Sequence, residues 1–397
     1  MNQSKTNIFT KEFFILCFAS FCVAYTAFAL NAAVPLYINF LGGTANVTGL
    51  LNTSFTICAC LFRLGGGWLA DRFGRKRIIV LGGMVFSIMT LLFIWVSALP
   101  LLIIIRGAQG AGFALMSIGC STALVDVLPQ DRFGEGLGYF SLASTVASSV
   151  AAAAAIAIAE AKGYGHVFGS TALVAAAGFL IPLLLSHYES EPAFQEERSA
   201  AIAAQRESGE KMFSLKKLFE PQAVMPAVVF TLFSTGVAIS YVYMSLYAVD
   251  TGIGHPGLYF TFSSIFAVFA RIIGGKLADR NNVIPGLLAG FLICIASYLV
   301  LFLPDPHSVW YCAAGALFGI SGGFANPILN RLAVHGVPAD RRGAASATFS
   351  VSNDIGTGLG GLLWGATITA WGYIPSFWTV VVWMAASTVF MTVYYTF

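Results

Sequence analysis

Phe62-Arg63-Leu64-Gly65-Gly66-Gly67-Trp68-Leu69-Ala70-Asp71-Arg72-Phe73-Gly74-Arg75-Lys76-Arg77 is a glycine-rich, highly charged segment set between two long apolar runs. A shorter form, Ala270-Arg271-Ile272-Ile273-Gly274-Gly275-Lys276-Leu277-Ala278-Asp279-Arg280, recurs 208 residues later in a chain of 397. In both copies an Arg stands eight positions before the Asp, and x-Leu-Ala-Asp-Arg follows the glycines. A second echo lies at nearly the same offset. Pro129-Gln130-Asp131-Arg132-Phe133-Gly134 matches Pro338-Ala339-Asp340-Arg341-Arg342-Gly343, and Phe140-Ser141 matches Phe349-Ser350. A charged inter-helix loop repeated at half-length in an apolar chain implies two copies of one helical unit in a membrane.

The residue balance agrees with that placement. The chain is 57% hydrophobic and 10% charged, against about 25% charged in a soluble domain, so a water-soluble fold is excluded. A spanning helix needs about 20 apolar residues. Twelve such runs are readable, at 12–38, 46–67, 77–97, 100–126, 135–161, 165–187, 221–249, 257–277, 283–304, 308–333, 343–370 and 374–396. The expected fold is therefore all-α, with twelve transmembrane helices in two pseudo-symmetric six-helix bundles. Residues 1–187 form the first bundle, 188–220 a polar linker and 221–397 the second bundle. The stretch from Met1 to Lys11 is polar, and the apolar run after it is too long for the core of a cleavable signal peptide.

Orientation follows from Lys and Arg placement. Lys5, Lys11, Arg72, Arg75, Lys76, Arg77, Arg132, the 188–220 tract, Lys276, Arg280, Arg331, Arg341 and Arg342 fall on one side of the alternating helices, with Lys162 opposite them. Both termini are expected in the cytoplasm of a cell whose inner (plasma) membrane carries the protein. Seven Cys lie in or beside apolar runs without a Cys-x-x-Cys pair, and five His are scattered, so the pattern calls for no metal and no cofactor. Nor is there a nucleophile elbow or a phosphate loop, which argues against an enzyme. Nucleic acid is not an expected partner, and the chain is expected to act as a monomer.

Gly67-x-Leu-Ala-Asp71-Arg72-x-Gly74-Arg75-Lys76-Arg77 resembles the signature loop between helices 2 and 3 of the major facilitator superfamily, and the copy ending in Asp279-Arg280 sits where that family places its loop between helices 8 and 9. The resemblance covers essentially the whole chain. It implies a secondary transporter that rocks two halves about a central cavity. It also implies that Gly67, Asp71, Arg72, Gly74, Arg75, Asp279 and Arg280 form a conformational latch. Asp71 would lie against the N-terminal end of helix 11, where unpaired N–H groups favour a carboxylate, and Arg72 or Arg75 would reach a helix-end acid such as Asp126. Topology-setting charge alone is the plainer account of the same residues.

Ionisable groups inside the spans are functional candidates, because burying a charge in a bilayer is costly. Asp354 lies in Asn353-Asp354-Ile355-Gly356-Thr357-Gly358-Leu359-Gly360-Gly361, about a dozen residues into the eleventh span. It is a candidate proton carrier, or the partner in a structural hydrogen bond. Arg106 lies in Ile105-Arg106-Gly107-Ala108-Gln109-Gly110-Ala111-Gly112, which is similar to the superfamily's helix 4 motif linked to proton-coupled transport. A guanidinium does not release its proton, so Arg106 would tune a carboxylate, grip an anion or snorkel to the surface. Asp126 is a third proton-coupling candidate, although helix-end acids such as Asp126, Asp250 and Glu160 also suit solvated or latch roles.

Cavity-lining helices 1, 4, 7 and 10, assigned by the resemblance, offer Tyr25, Asn31, Gln109, Met116, Tyr241, Tyr243, Tyr247, Asn326 and Asn330. These side chains make an adaptable, mainly apolar pocket for amphipathic organic solutes. One departure stands out. The drug/proton antiporter branch carries a Gly-Pro pair in helix 5, whereas Gly136-Leu137-Gly138 and the alanines after it keep small residues without that pair. The expectation is proton-coupled export of small amphipathic compounds in the drug-efflux-like manner. Export of a single metabolite or metal-chelating compound, proton-coupled import, a membrane receptor and a lipid scramblase are the rivals.

Overall fold

The computed structural model describes residues 8–129, 132–185, 220–253, 255–278, 283–303, 308–334, 337 and 342–396. Twelve α-helices occupy them: α1 Lys11–Phe40, α2 Ala45–Phe73, α3 Arg75–Leu92, α4 Leu99–Val127, α5 Phe133–Lys162, α6 Tyr164–Leu180, α7 Pro221–Asp250, α8 Leu258–Ala278, α9 Ile284–Val300, α10 Ser308–Val334, α11 Arg342–Trp371 and α12 Tyr373–Thr396. A single 3₁₀ turn, Ile181–Leu184, extends α6. Eight of these helices are long and apolar enough to cross a bilayer unaided. The chain is thus a multi-pass all-helical protein. Helices are what a bilayer core requires, because each satisfies its own backbone hydrogen bonds.

The glycine-rich segment is not the loop its composition suggests. α2 continues through Gly65, Gly66 and Gly67 to Phe73, and α3 begins at Arg75. The break between them is Gly74 alone, at φ +96°, a backbone region open to glycine and strained for other residues. Gly66 packs closely on Ile118 of α4 while a Cβ at Gly65 would meet nothing, and Arg63 stands inside a helix. The 188–220 linker lies outside the described residues except for Glu220, whose side chain accepts from Gln222 N at 3.4 Å and caps α7.

The sequence duplication reappears as packing. In the first half α1 packs on α5 and α6, α4 on α2 and α3, and α3 on α6; in the second half α7 packs on α11 and α12, α10 on α8 and α9, and α9 on α12. The halves meet where α2 lies along α11 and, in the mirrored position, where α5 meets α8; α1 also meets α7. The core of the second half is centred on Phe233, Tyr243, Tyr259, Phe291, Tyr298 and Phe377. In the first half one cluster gathers around Phe86, Phe93 and Phe168 and another around Leu16, Met116 and Leu124, with smaller ones beside them. Large apolar side chains such as Ile104, Leu173, Phe269 and Val382 face outward, as lipid contact allows. Alternation along twelve helices puts the start of α1 and the end of α12 on the same face, called the termini side below.

Candidate binding cavity

A cavity of about 520 Å³ lies between the halves. It is lined by α1 from Ser20 to Asn31, α2 from Asn52 to Arg63, α4 from Phe113 to Ser121, α5 at Phe140 and Ser144, α7 from Phe230 to Val242, α8 at Arg271, α10 at Asn326 and α11 from Phe349 to Thr357. Six phenylalanines contribute to its wall, and Phe230 and Phe349 stack at 4.2 Å between ring centroids. Ser20, Phe140 and Phe349 lie within about 15 Å of the termini-side ends of their helices, at 1.5 Å per residue.

Beyond the cavity, the far half is sealed by α2 against α11. Asn46 N donates to Thr369 Oγ1 at 3.2 Å, Thr53 Oγ1 to Gly358 O at 2.8 Å and Asn52 Nδ2 to Thr357 O at 3.0 Å. Tyr243 of α7 closes the same seam, donating to Gly361 O at 2.6 Å and reaching Ala45 O at 3.1 Å. A Cβ at Gly49 would strike Gly361 O and stand 2.6 Å from the Tyr243 hydroxyl, so the helix approach requires glycine there.

Asp354 sits in the wall of the cavity, 8% exposed. Its Oδ2 accepts from Arg63 Nε at 2.8 Å, so a carboxylate of α11 is joined to a guanidinium of α2 across the two halves. The Arg63 guanidinium also stands 5.7 Å from the Phe113 ring centroid. Arg63 was not among the candidates from the sequence: it falls within the run read as the second helix, at 46–67, and was grouped with the charged segment that follows. The signal was present, since an Arg eight residues before the Asp is shared with Arg271, and both line the cavity.

Arg106 is 2% exposed and does not snorkel to the surface. It donates to Gln109 Oε1 at 2.9 Å and to Asn31 Oδ1 at 2.5 Å, and its guanidinium lies 4.4 Å from the Phe55 ring centroid. Gln109 in turn donates to Thr90 Oγ1 at 3.0 Å, and Thr90 to Phe86 O at 2.7 Å. Arg106 is thus the hub of a chain of amides inside the first bundle, and it meets the cavity through Asn31.

Of the nine anticipated lining residues, Asn31, Tyr241 and Asn326 line the cavity. The other six stand elsewhere. Tyr25 stacks on Phe21 and joins the α1–α5 cluster. Gln109 is buried behind the wall, and Met116 fills the core between α1, α3 and α4. Tyr243 belongs to the far seal, Tyr247 packs on Tyr373 and Phe377, and Asn330 is exposed. The physical reason is common to them: these helices are apolar on every face, so their sequence does not mark the inward one.

Among the anticipated latch residues, Arg75 Nε lies 3.0 Å from Asp126 Oδ2, tying the start of α3 to the end of α4 on the termini side. The Arg72 guanidinium stands 5.7 Å from the ring centroid of Phe73. Gly67 lies within α2 and Gly74 forms the α2–α3 break. The side chain of Asp71, and Asp279 and Arg280 entirely, lie outside the described residues.

Known proteins share this architecture and sequence pattern. The model of the Major Facilitator Superfamily matches residues 16–361 and, again, 257–396. A staphylopine export protein of Staphylococcus aureus is 23% identical over 347 residues, covering 85% of this chain and 84% of that one. A quinolone resistance protein of the same species, NorA, is 28% identical over 131 residues, covering 33% of this chain and 34% of that one. A solved transporter of the POT family, in complex with a thioalcohol-conjugated peptide, superposes with a TM-score of 0.77 over 97% of this chain and 96% of that one at 14% identity. With the family model spanning both halves, the chain belongs to the Major Facilitator Superfamily.

Proposed function

We propose that this transporter is a proton-coupled exporter of small amphipathic organic compounds, working by alternating access, with Asp354 as the proton-carrying group. The observation that carries the reading is the Arg63–Asp354 pair, which sits in the cavity wall and joins the halves at 2.8 Å. The pair favours a charged Asp354 in this state and must break when the two bodies rock apart, so Asp354 would take up a proton once the seam is open and give it up when the pair re-forms. With the termini cytoplasmic, as the Lys and Arg distribution favours, the cavity opens toward the cytoplasm and the α2–α11 seam is the outer gate. Substrate would load from inside and leave after the seam opens. Asp71, Arg72, Arg75 and Asp126 would act on the termini side as the opposing latch.

Export is supported by the relatives, one of which is an export protein and another a resistance protein. The former aligns over 85% of this chain and the latter over 33%, which favours a dedicated exporter of one metabolite class as the second reading. The test is flux in proteoliposomes under an imposed pH gradient, following internal pH as amphipathic cations, anions, neutral drugs and metal–chelator complexes are added. Proton movement opposite to the substrate, lost in Asp354→Asn, is the expected result. Movement in the same direction would make the chain an importer, and unchanged coupling in Asp354→Asn would remove that residue from the mechanism.

A further inference from the structure

We propose that Arg106, Thr48 and the amide of Asn31 form a binding site for one small monatomic anion, a halide such as chloride, beside the far end of the central cavity. A small recess lies there. Asn31, Thr48, Asn52 and Arg106 line it, together with apolar side chains that include Val242. It takes about one occupant of a water's size. Asn31 and Asn52 also line the main cavity, so the recess adjoins that cavity where Asn52 meets the α2–α11 seam. The site goes beyond the exporter reading and does not depend on Asp354 carrying protons.

The argument starts from charge. Arg106 is 2% exposed, and a guanidinium cannot shed its proton to escape burial. A buried charge is costly unless it is paired. Its contacts are all neutral: the amide oxygens of Asn31 and Gln109 and the ring of Phe55. No Asp or Glu is among the described residues that line the recess. The four helices that form it, α1, α2, α4 and α7, carry one acid each, and every one stands at a helix end. Glu12 and Asp71 are 19 residues from Asn31 and Asn52, Asp126 is 20 from Arg106 and Asp250 is eight from Val242. Those separations are about 28, 30 and 12 Å along the axes at 1.5 Å per residue. Asp354, the acid of the main cavity, is held by Arg63 at 2.8 Å. The counter-charge to Arg106 therefore has to come from solution.

The polar side chains of the recess suit that role because they present donors. Arg106 uses two of its five N–H groups on Gln109 Oε1 and Asn31 Oδ1. With its oxygen taken, Asn31 has its amide N–H groups to offer. Thr48 is 3% exposed, and its hydroxyl reaches Thr44 O at 3.5 Å, long for an O–H···O bond, so that proton is available to a better acceptor. Asn52 Nδ2 donates to Thr357 O at 3.0 Å and keeps a second N–H. Space for one water-sized occupant admits a halide and excludes a carboxylate or sulfate group. A water would fit the same space but leave the guanidinium charge unmatched.

The experiment measures binding of radioactive chloride to the purified full chain by scintillation proximity, at fixed pH and at an ionic strength held constant with gluconate. Saturable binding of one chloride per chain is expected, displaced by bromide and not by sulfate or further gluconate. Arg106→Gln should abolish it. Val242→Leu adds a methylene to the recess wall without touching the charge, and should weaken binding by roughly tenfold; Thr48→Val removes a donor to the anion and should do the same. These two variants decide the matter if Arg106→Gln does not fold. Arg271→Gln, in the main cavity and outside the recess, should bind chloride as the wild type does. Chloride in place of gluconate should also raise the melting temperature of the wild type more than that of Val242→Leu. An absence of saturable binding would mean that the recess holds water only. That result, equal displacement by sulfate and gluconate, unaltered affinity in Val242→Leu, or loss of binding in Arg271→Gln would overturn the proposal. No pH gradient or substrate enters this readout, so failure of the exporter reading in the flux assay would leave the anion site standing, and the reverse also holds.

Discussion

Asp354 and Arg63 are each part-exposed to the cavity, at 10% and 14% of their side chains. Removing one partner of a fully buried ion pair costs about 3–5 kcal/mol because the other charge is stranded, and access to the aqueous cavity reduces that figure here. Asp354→Asn and Arg63→Gln should therefore each lower the melting temperature of the purified protein, and the double variant should be more stable than the sum of the two predicts. Simple additivity in that cycle would mean that the pair does not hold the halves. Arg106 makes the opposite kind of contribution. Its charge is spread over two amide oxygens and an aromatic face, and Arg106→Leu would leave Asn31 Oδ1 and Gln109 Oε1 without their donor. Each buried acceptor left unsatisfied costs about 1–3 kcal/mol, so this variant should melt earlier than wild type and earlier than Arg106→Lys. Equal melting of all three would show that the amide chain is not structural.

At the scale of the helices, the proposed mechanism makes the far seam the contact whose strength sets the balance between two access states. Tyr243→Phe removes one hydroxyl that serves both Gly361 O and Ala45 O and leaves the packing unchanged. A net loss of about 1 kcal/mol corresponds to roughly fivefold in the conformational equilibrium. Spin labels at Phe40 and Trp371, both exposed near the far side, should then show a larger population of long distances, and an unchanged distribution would mean that Tyr243 does not close the gate. The helices themselves were legible, because a run of about 20 apolar residues with a charged end has one outcome in a bilayer. Asp354 was legible too, as a carboxylate inside such a run. Arg63 was hidden by its own neighbourhood: it lay at the end of the run read as the second helix and was grouped with the charges that follow, yet α2 runs on to Phe73, with Gly66 pressed against Ile118 of α4. Tyr243, Gln109 and Met116 were misplaced for the converse reason, since an apolar helix offers no polar stripe from which to tell cavity from core.

For the whole molecule, the proposed function turns on the far seam being closed while the cavity lies toward the termini side of it. Two bundles with the same internal packing meet along α2–α11 and α5–α8, so in the proposed mechanism rocking about the centre opens the far seam as the termini side closes. Asn46 and Thr369 stand at the outer end of that seam, with backbone N and side-chain oxygen 3.2 Å apart, close enough for cysteines at both positions to meet disulfide geometry without a large shift. In a background with the seven native Cys replaced, Asn46→Cys with Thr369→Cys should transport normally when reduced. Oxidation should abolish flux, and dithiothreitol should restore it. Ligand binding from the termini side should survive oxidation, because the cavity lies on that side of the lock. Flux that continues with the crosslink fully formed would show that the seam need not open, and alternating access through α2 and α11 would have to be abandoned. Loss of binding together with flux would place the substrate on the far side of the seam, and the cavity assignment would fall with it.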